Sequence, residues 1–282
     1  MAEHNAKLFS YVEGSLSKLL KLKYYQELDF AILNKKFTQL NPEIIEKIAN
    51  EVRDIFGTGI GPISNVTLLI ERLGIRVAFK NLSLEQVDAV TEKLNNRQYI
   101  IINTYNRSSV RIRFNLAHEL GHVLLHSKYL ESDILDSSNR KRIEWEANYF
   151  AGCLLMPEDG IAQDMSYTNL SYLTELKNHW KVSIQALVTR GIQIGLIDEL
   201  QGLHLRQQIS RNGWRKEEPL DKKIPIEHPV FLRKAVEFSD ESENYILSKI
   251  NYETGLPISL IENQLNLHNK EDKCTEVKFK LI

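Results

Sequence analysis

Hydrophobic and polar residues follow two periodicities in the first hundred residues. Asn41 and Pro42 open an apolar stripe at helical spacing, because asparagine caps helix N-termini and proline is favoured in the first turn. Residues 75–79 instead alternate as a half-buried strand does. The predicted elements are one or two helices within 5–40, a helix at 41–55, a glycine-rich turn at 57–62, a short helix at 66–73, a strand at 75–79, and a hairpin of strands at 87–93 and 97–103.

Helical periodicity dominates the rest of the chain. An apolar helix around 115–125 precedes a strong helix at 139–156 that Pro157 ends, a helical region at 168–198, a linker at 206–229, and a last helical segment ending near residue 268. The pattern predicts an α+β fold that is mostly helical. In it, the small three-stranded sheet packs on the 115–125 helix, and the C-terminal region is helical.

Two stretches, 168–198 and 246–265, have the cadence of a helix-turn-helix. The same geometry is a common way of packing two helices, and this is the favoured interpretation of both. The second stretch would then serve dimerisation or substrate capture. Direct DNA binding and a homodimer stay open at this point.

Composition and charge narrow the class of protein. With 43% hydrophobic and 26% charged residues, the chain resembles ordinary soluble proteins, and it has neither a bilayer-length apolar run nor a secretory signal. Two cysteines, Cys153 and Cys274, are too few for a disulfide framework, so the cytoplasm is expected. A net charge of −1 argues against a molecule built to attract nucleic acid, and the charged stretch 206–223 is expected to be a solvated surface.

The stretch NLAHELGHVLL, at 115–125, places His118, Glu119 and His122 on an otherwise apolar helix. Residues four apart lie about 6 Å apart along a helix axis and on one face, so both imidazoles can hold one ion. Glu119 flanks that ion closely enough to take a proton from water, which is the chemistry of the H-E-x-x-H motif. The alternative is a pair of histidines hydrogen-bonded in a core, because so short a motif also occurs by chance.

A catalytic zinc ion also needs a third protein ligand. His126 is about 12 Å along the axis from His118, which is too far, and it is expected to contact carbonyl groups at the helix end. Glu144 and Glu146 lie about 200° apart around the next helix, so only one can face the histidines. Glu144, beside the buried stripe, is the predicted ligand and Glu146 the alternative. Asn148, one turn further, would orient a ligating histidine.

These residues belong to three segments that together resemble the ImmA/IrrE family of bacterial metallo-endopeptidases: RIRFNLAHELGHVLLH at 111–126, EWEANYFAGCLLMP at 144–157 and VSIQALVTRGIQIGLI at 182–197. The resemblance extends upstream to about residue 41. It implies a minimal gluzincin-like domain with zinc held by His118, His122 and Glu144 and with Glu119 as catalytic base. Asn148 stands where the broader pattern has aspartate, which keeps an acceptor but loses a charge.

The resemblance also implies a substrate. Family members look like intracellular, site-specific proteases that cut helix-turn-helix repressors and so derepress mobile-element, phage-defence or stress genes. The region before residue 41 is short for a DNA-binding module, so the repressor is expected to be a separate chain. The expected division is an N-terminal helical extension (1–40), a zinc metallopeptidase domain (41–165), a helix-turn-helix-like segment (166–205), and a linker with a C-terminal helical domain (206–282).

Several choices stay open on the sequence. Mn²⁺ or Fe²⁺ would suit the same donors as Zn²⁺. The substrate is expected to lie along an exposed edge of the 75–103 sheet. Tyr149, His179 and Arg113 are candidates for stabilising the oxyanion, although a structural role is favoured for each. The rival interpretation is a DNA-binding regulator whose metal site is structural or vestigial.

Overall fold

The computed structural model describes residues 2–22, 37–83, 87–95, 97–129 and 136–267. Its helices are α1 (Ala2–Leu19), α2 (Pro42–Ile55), α3 (Val66–Arg72), α4 (Ser109–Gly121), α5 (Ser137–Leu155), α6 (Glu158–Asp164), α7 (Leu170–Trp180), α8 (Ile184–Gln193), α9 (Glu199–Arg211), α10 (Phe231–Glu237), α11 (Glu243–Thr254) and α12 (Ile258–Leu265). The strands are β1 (Arg76–Lys80), β2 (Ala89–Leu94) and β3 (Arg97–Asn103). Cys274 and the predicted helical residues 23–36 lie outside the described residues.

The predicted helix starts are confirmed by their caps. The Asn41 side-chain oxygen accepts the Ile44 N–H at 2.9 Å, with Pro42 in the first turn of α2. Asn65 accepts the Leu68 N–H at 2.8 Å and begins α3 in the same way. Each contact satisfies a backbone donor that a helix N-terminus leaves unpaired.

The sheet has the strand order β1-β3-β2, with β3 parallel to β1 and antiparallel to β2. Alternate residues of β3 enter two different cores. Ile100 and Ile102 pack with α3 and α4, whereas Tyr99 and Ile101 pack with α1 and the C-terminal helices. The expected α+β fold, with a small sheet against the histidine-bearing helix, is confirmed, and β2 is left as an edge strand beside that helix.

Helices α4 and α5 approach each other closely at Gly121. A Cβ atom placed on Gly121 would lie 3.1 Å from Phe150 Cδ1 and 3.2 Å from the Ala147 Cα atom. The missing side chain therefore lets α4, which carries His118 and leads directly into His122, lie against α5, which carries Glu144.

The charged stretch after α9 folds back onto the core. Lys177 is fully buried, and its Nζ donates to Glu218 at 2.7 Å and also to Asp221. The predicted solvated surface is therefore wrong for these two acids, because both pair with the same buried ammonium, and it holds for the exposed Arg215 and Lys216. The domain boundaries themselves remain predictions. Within the described ranges, no helix combines the length and apolar character that a membrane span needs.

Candidate metal centre

Three predicted ligands converge where α4 faces α5. His118 Nε2 and His122 Nε2 are 3.0 Å apart, and the Glu144 carboxylate lies 3.4 Å from the first and 3.6 Å from the second. Donors around a tetrahedral zinc ion at 2.0–2.1 Å stand roughly 3.3–3.4 Å apart. The observed separations therefore fit a single ion of that size.

Of the two glutamates on α5, the structure brings Glu144 to the histidines. Its side chain is 53% exposed, so the cluster faces solvent and leaves room for water or substrate. Glu146 is fully buried on another side of α5, where Arg142 Nε and the Leu40 N–H each donate to it at 2.8 Å. Glu146 is thus occupied by other partners and does not join the cluster.

Asn148 fixes the orientation of His118, as predicted. Its Oδ1 lies 3.0 Å from His118 Nδ1, one helical turn from Glu144. A hydrogen bond from Nδ1–H to this oxygen leaves the lone pair of His118 on Nε2, the atom that faces His122 and Glu144.

His122 is oriented by two successive hydrogen bonds, through His126 to Glu146, and the sequence did not indicate this role for either residue. The carboxylate of Glu146 can only accept, so it takes the proton of His126 Nε2, 3.2 Å away. His126 Nδ1 is then an acceptor for His122 Nδ1–H at 3.1 Å, which leaves the lone pair of His122 on Nε2. Both candidate ligand histidines are therefore held in the tautomer that binds a metal through Nε2.

The expectation that His126 contacts carbonyl groups at a helix end is wrong. The chain continues past Gly121 in a π-helical turn, His122–His126, and His126 is only 4% exposed. A π turn is wider than an α turn and is often found at functional sites. Here it points His126 into the protein, toward Glu146.

Glu119 lies beside the cluster and contacts the edge strand. Thr91 Oγ1, on β2, donates to Glu119 Oε2 at 2.5 Å. Burial raises the pKa of Glu119, and the Thr91 hydrogen bond and the charge of His118 only partly oppose this. A carboxylate with a raised pKa is a stronger base toward water. Thr91 is a second contact that the sequence did not reveal.

Electrostatics favour the metal-binding protonation state at two of the candidate ligands, His122 and Glu144. Burial and the charges of His118 and His126 lower the pKa of His122 to about 3, so this imidazole is neutral at ordinary pH. The hydrogen bond with His118 lowers the pKa of Glu144, although burial opposes it. At His118, burial lowers the pKa, but the Glu144 hydrogen bond and the nearby carboxylates outweigh it and raise the pKa, so a proton competes there with a metal.

The oxyanion candidates lie in three different settings. Arg113 is buried, and its guanidinium donates to Glu227 and to the carbonyl oxygens of Ile63 and Lys181, which is the structural role that was favoured. His179 is exposed, with its Nε2 3.5 Å from Asp164. Tyr149 lines a cavity beside Asn148. Of the three, Tyr149 is the one that shares this cavity with a residue of the candidate site.

A comparison with protein-family models finds a match in the region of the chain that contains the candidate site. Residues 70–190 match the Peptidase_M78 family model, described as an IrrE N-terminal-like domain, and this range includes every residue of the candidate site. Among solved structures, a Mycobacterium tuberculosis transcriptional regulator is similar at 15% identity and a TM-score of 0.40, covering 65% of this chain. The chain spans about half, 51%, of that regulator. No curated protein matches the chain.

Proposed function

We propose that the chain is a zinc-dependent endopeptidase, on the premise that its residues 70–190 match the Peptidase_M78 family model, an IrrE N-terminal-like domain. His118, His122 and Glu144 would hold the metal, and Glu119 would be the general base. The observation that carries the proposal is the convergence of three donors within 4.8 Å of one another. Separate hydrogen bonds from Asn148 and His126 support it, because they turn both imidazole lone pairs toward that point.

Each residue of the site has a distinct task in hydrolysis. When bound, zinc supplies a lowered water pKa and polarises the peptide carbonyl group. Glu119 accepts a proton from the attacking water on its carboxylate and passes it to the amine that leaves. Thr91 holds that carboxylate in place through its hydroxyl hydrogen bond. Burial of Glu119 raises its pKa, which strengthens it as a base.

The edge strand β2 supports an extended peptide as substrate. β2 pairs with β3 on one side only in the described sheet, and Thr91 connects it to Glu119. A peptide added as a further strand would be held by backbone hydrogen bonds and would pass alongside the base. Backbone hydrogen bonds of this kind hold the peptide beside Glu119 irrespective of most of its side chains, and side-chain pockets then select the bond.

We further propose, from the family resemblance, that the substrate is a helix-turn-helix repressor on a separate chain. Cutting it would derepress mobile-element, phage-defence or stress genes, and a repressor substrate would place the reaction in the cytoplasm. Zinc is the proposed native metal, with Mn²⁺ and Fe²⁺ as the alternatives to be compared by reconstitution.

The test uses the full chain loaded with zinc, incubated with purified helix-turn-helix repressors and analysed by mass spectrometry. Glu119→Gln is expected to keep one zinc ion per chain and to lose cleavage by roughly 10²- to 10⁴-fold, because it removes the base and not a ligand. Glu144→Ala, in contrast, is expected to lose the zinc ion.

Glu175→Gln is the matched control, because Glu175 is exposed on α7, away from the cluster. It should cut at the rate of the unaltered chain. Undiminished cleavage by Glu119→Gln would show that the base is misassigned. Retention of zinc by Glu144→Ala would show that the third ligand is misassigned.

The DNA-binding alternative receives less support from the helix-turn-helix-like pair α7–α8. The N-terminus of α8 is the usual reading end of such a motif. Here the Ile184 N–H donates to the buried Glu218 at 2.8 Å, so an acid covers this end. Duplex DNA retarded by the full chain, together with no cleavage of any repressor, would favour the alternative.

A further inference from the structure

A cavity of about 520 Å³ opens beside the candidate metal centre, between α4, α5, α8 and the segment 214–221. Two of its lining residues tie it to His118. Asn115 lies one helical turn before His118 on α4, and Asn148 is the residue that hydrogen-bonds to His118 Nδ1. The volume lies within the range of about 300–1,000 Å³ that binding pockets occupy. The cavity therefore adjoins the proposed reaction site through Asn148, the residue that contacts His118.

The walls combine aromatic rings with one buried polar donor. Trp145 stacks on Tyr149 with ring centroids 5.1 Å apart, and Phe114 and Trp214 also line the cavity. Asn115 Nδ2 is buried without a hydrogen-bond acceptor among the described residues. Buried donors are rarely left unpaired in native proteins, so this amide is suited to a carbonyl oxygen that arrives with a ligand.

The charged side chains at the cavity rim that are not engaged in ion pairs are positive. The lining acid Asp88 pairs with Arg107 and Arg111, and the lining acids Glu218 and Asp221 both pair with Lys177. Arg215 and Lys216 are exposed and have no ion-pair partner in the part of the chain that the structure describes. An arriving carboxylate would find these two cations at the rim, while each acid of the wall already contacts a cation of the protein.

We propose that this cavity is the specificity pocket of the enzyme. It takes a large apolar or aromatic side chain of the peptide next to the bond that is cut, and Arg215 and Lys216 bind an acidic residue close to it in sequence. The inference rests on the proposed function, since it assigns the cavity to the substrate of that same site. It defines the substrate as a peptide in which a bulky apolar residue is accompanied by an acid.

Gly152 allows the cavity to be filled without disturbing its walls. It lines the cavity on α5, and an added Cβ atom would meet nothing closer than Gln193 Oε1 at 3.7 Å. Gly152→Leu therefore projects a side chain into the space. Gly61→Leu is the matched control, because Gly61 lies outside the cavity and an added Cβ meets no atom within 4 Å.

The probe is an array of synthetic octapeptides that vary one central residue and its neighbour. Two signals are read from the zinc-loaded full chain: the peptides cleaved, and the peptides retained by the Glu119→Gln chain. Retention requires no catalysis. We expect both signals to favour phenylalanine, tryptophan or leucine next to aspartate or glutamate, and Gly152→Leu to weaken retention of these peptides at least about tenfold.

Separate readouts distinguish the two proposals. Selective retention that Gly152→Leu abolishes and Gly61→Leu preserves supports the pocket, even where nothing is cleaved and the proposed activity fails. Cleavage whose sequence preference is the same in Gly152→Leu overturns the pocket and leaves the activity standing. If neither the cleaved peptides nor the retained peptides show a preference for a bulky residue, the pocket is also overturned. Arg215→Glu together with Lys216→Glu should reverse the preference for the neighbouring acid to one for lysine or arginine.

Discussion

Each candidate ligand histidine depends on an acceptor outside the H-E-x-x-H motif. His118 is oriented by Asn148, and His122 by His126 with Glu146 behind it. Acceptors of this kind fix the imidazole tautomer and raise its basicity toward a metal. The two routes differ in charge, because the first ends on a neutral amide and the second on a carboxylate. Substitutions in the second route, at His126 or Glu146, are therefore expected to change zinc affinity more than a substitution of Asn148.

The first prediction concerns His126. His126→Phe keeps a ring in the buried position but removes the acceptor for His122 Nδ1, so the His122 ring can turn its lone pair away. Zinc affinity, measured by competition with a chelator, should fall roughly 10- to 100-fold. His204→Phe, an exposed histidine on α9, should leave the affinity unchanged. An unaltered affinity in a folded His126→Phe chain would contradict the orienting role.

Helix geometry explains how much of the candidate site could be predicted from sequence. The spacing of His118 and His122, and the angular position of Glu144 on its helix, each follow from a single regular helix. Thr91 and His126 do not. The Thr91 contact depends on how β2 packs across α4, and the burial of His126 depends on a π turn that side-chain periodicity does not indicate.

At the scale of the elements, the N-terminus of α10 is capped by Glu71, an acidic residue of α3. The Val230 and Phe231 N–H groups both donate to the Glu71 carboxylate at 3.0 Å, which anchors the C-terminal region to the main core. The helix start at Asn41 was predicted because its cap lies next to the helix in sequence. The cap of α10 is supplied from more than 150 residues away, so local sequence carries no signal of it.

The second prediction is a pH dependence that comes from Glu71. Burial raises its pKa from 4.5 to about 7, and the two backbone hydrogen bonds and nearby arginines only partly oppose this. The folded state thus holds the proton more tightly than the unfolded state. The stabilisation is fully present below pH 4.5 and is lost as pH rises through 7, by an amount on the order of 1–3 kcal/mol.

Glu71→Gln isolates this contribution, because glutamine keeps one acceptor and does not titrate. Urea unfolding at pH 4.5 and pH 8 should show the unaltered chain losing that stability relative to Glu71→Gln as pH rises. Glu175→Gln, at an exposed position, should follow the unaltered chain at both values. A difference between the Glu71→Gln and unaltered chains that is the same at both pH values would mean that Glu71 stays ionised in the fold.

At the scale of the whole molecule, the sheet separates the candidate catalytic side from a second core. Tyr99 and Ile101 point away from α4 and pack with α1, α11 and α12. The stretch 246–265, with its helix-turn-helix cadence, forms part of this cover. Two of its helices are therefore engaged in packing, consistent with the interpretation favoured from sequence, while a role in dimerisation or substrate capture remains a prediction.

One buried acid connects α1 to this sheet. Glu13 is fully buried, and it accepts from Arg76 Nε at 3.0 Å, Arg97 at 2.9 Å and the Tyr99 hydroxyl at 2.8 Å. Burial would raise its pKa, but Arg76 and the hydrogen bonds outweigh this and lower the pKa, so Glu13 stays ionised. Arg76 is itself 2% exposed and lies over the Phe231 ring at 4.3 Å. Removing the acid would take from the buried Arg76 guanidinium the carboxylate that it contacts at 3.0 Å.

The third prediction follows from that dependence. Glu13→Ala should lower the free energy of unfolding by about 3–5 kcal/mol, measured by urea denaturation, because it breaks a buried ion pair by removing one of the two partners. Glu175→Ala should cost less than about 0.5 kcal/mol, since Glu175 is exposed. Zinc affinity of the folded Glu13→Ala chain should stay unchanged, because Glu13 acts on the face of the sheet opposite α4. A loss of zinc affinity without loss of stability would instead mean that α1 acts on the metal centre through the sheet, and that the two cores do not function separately.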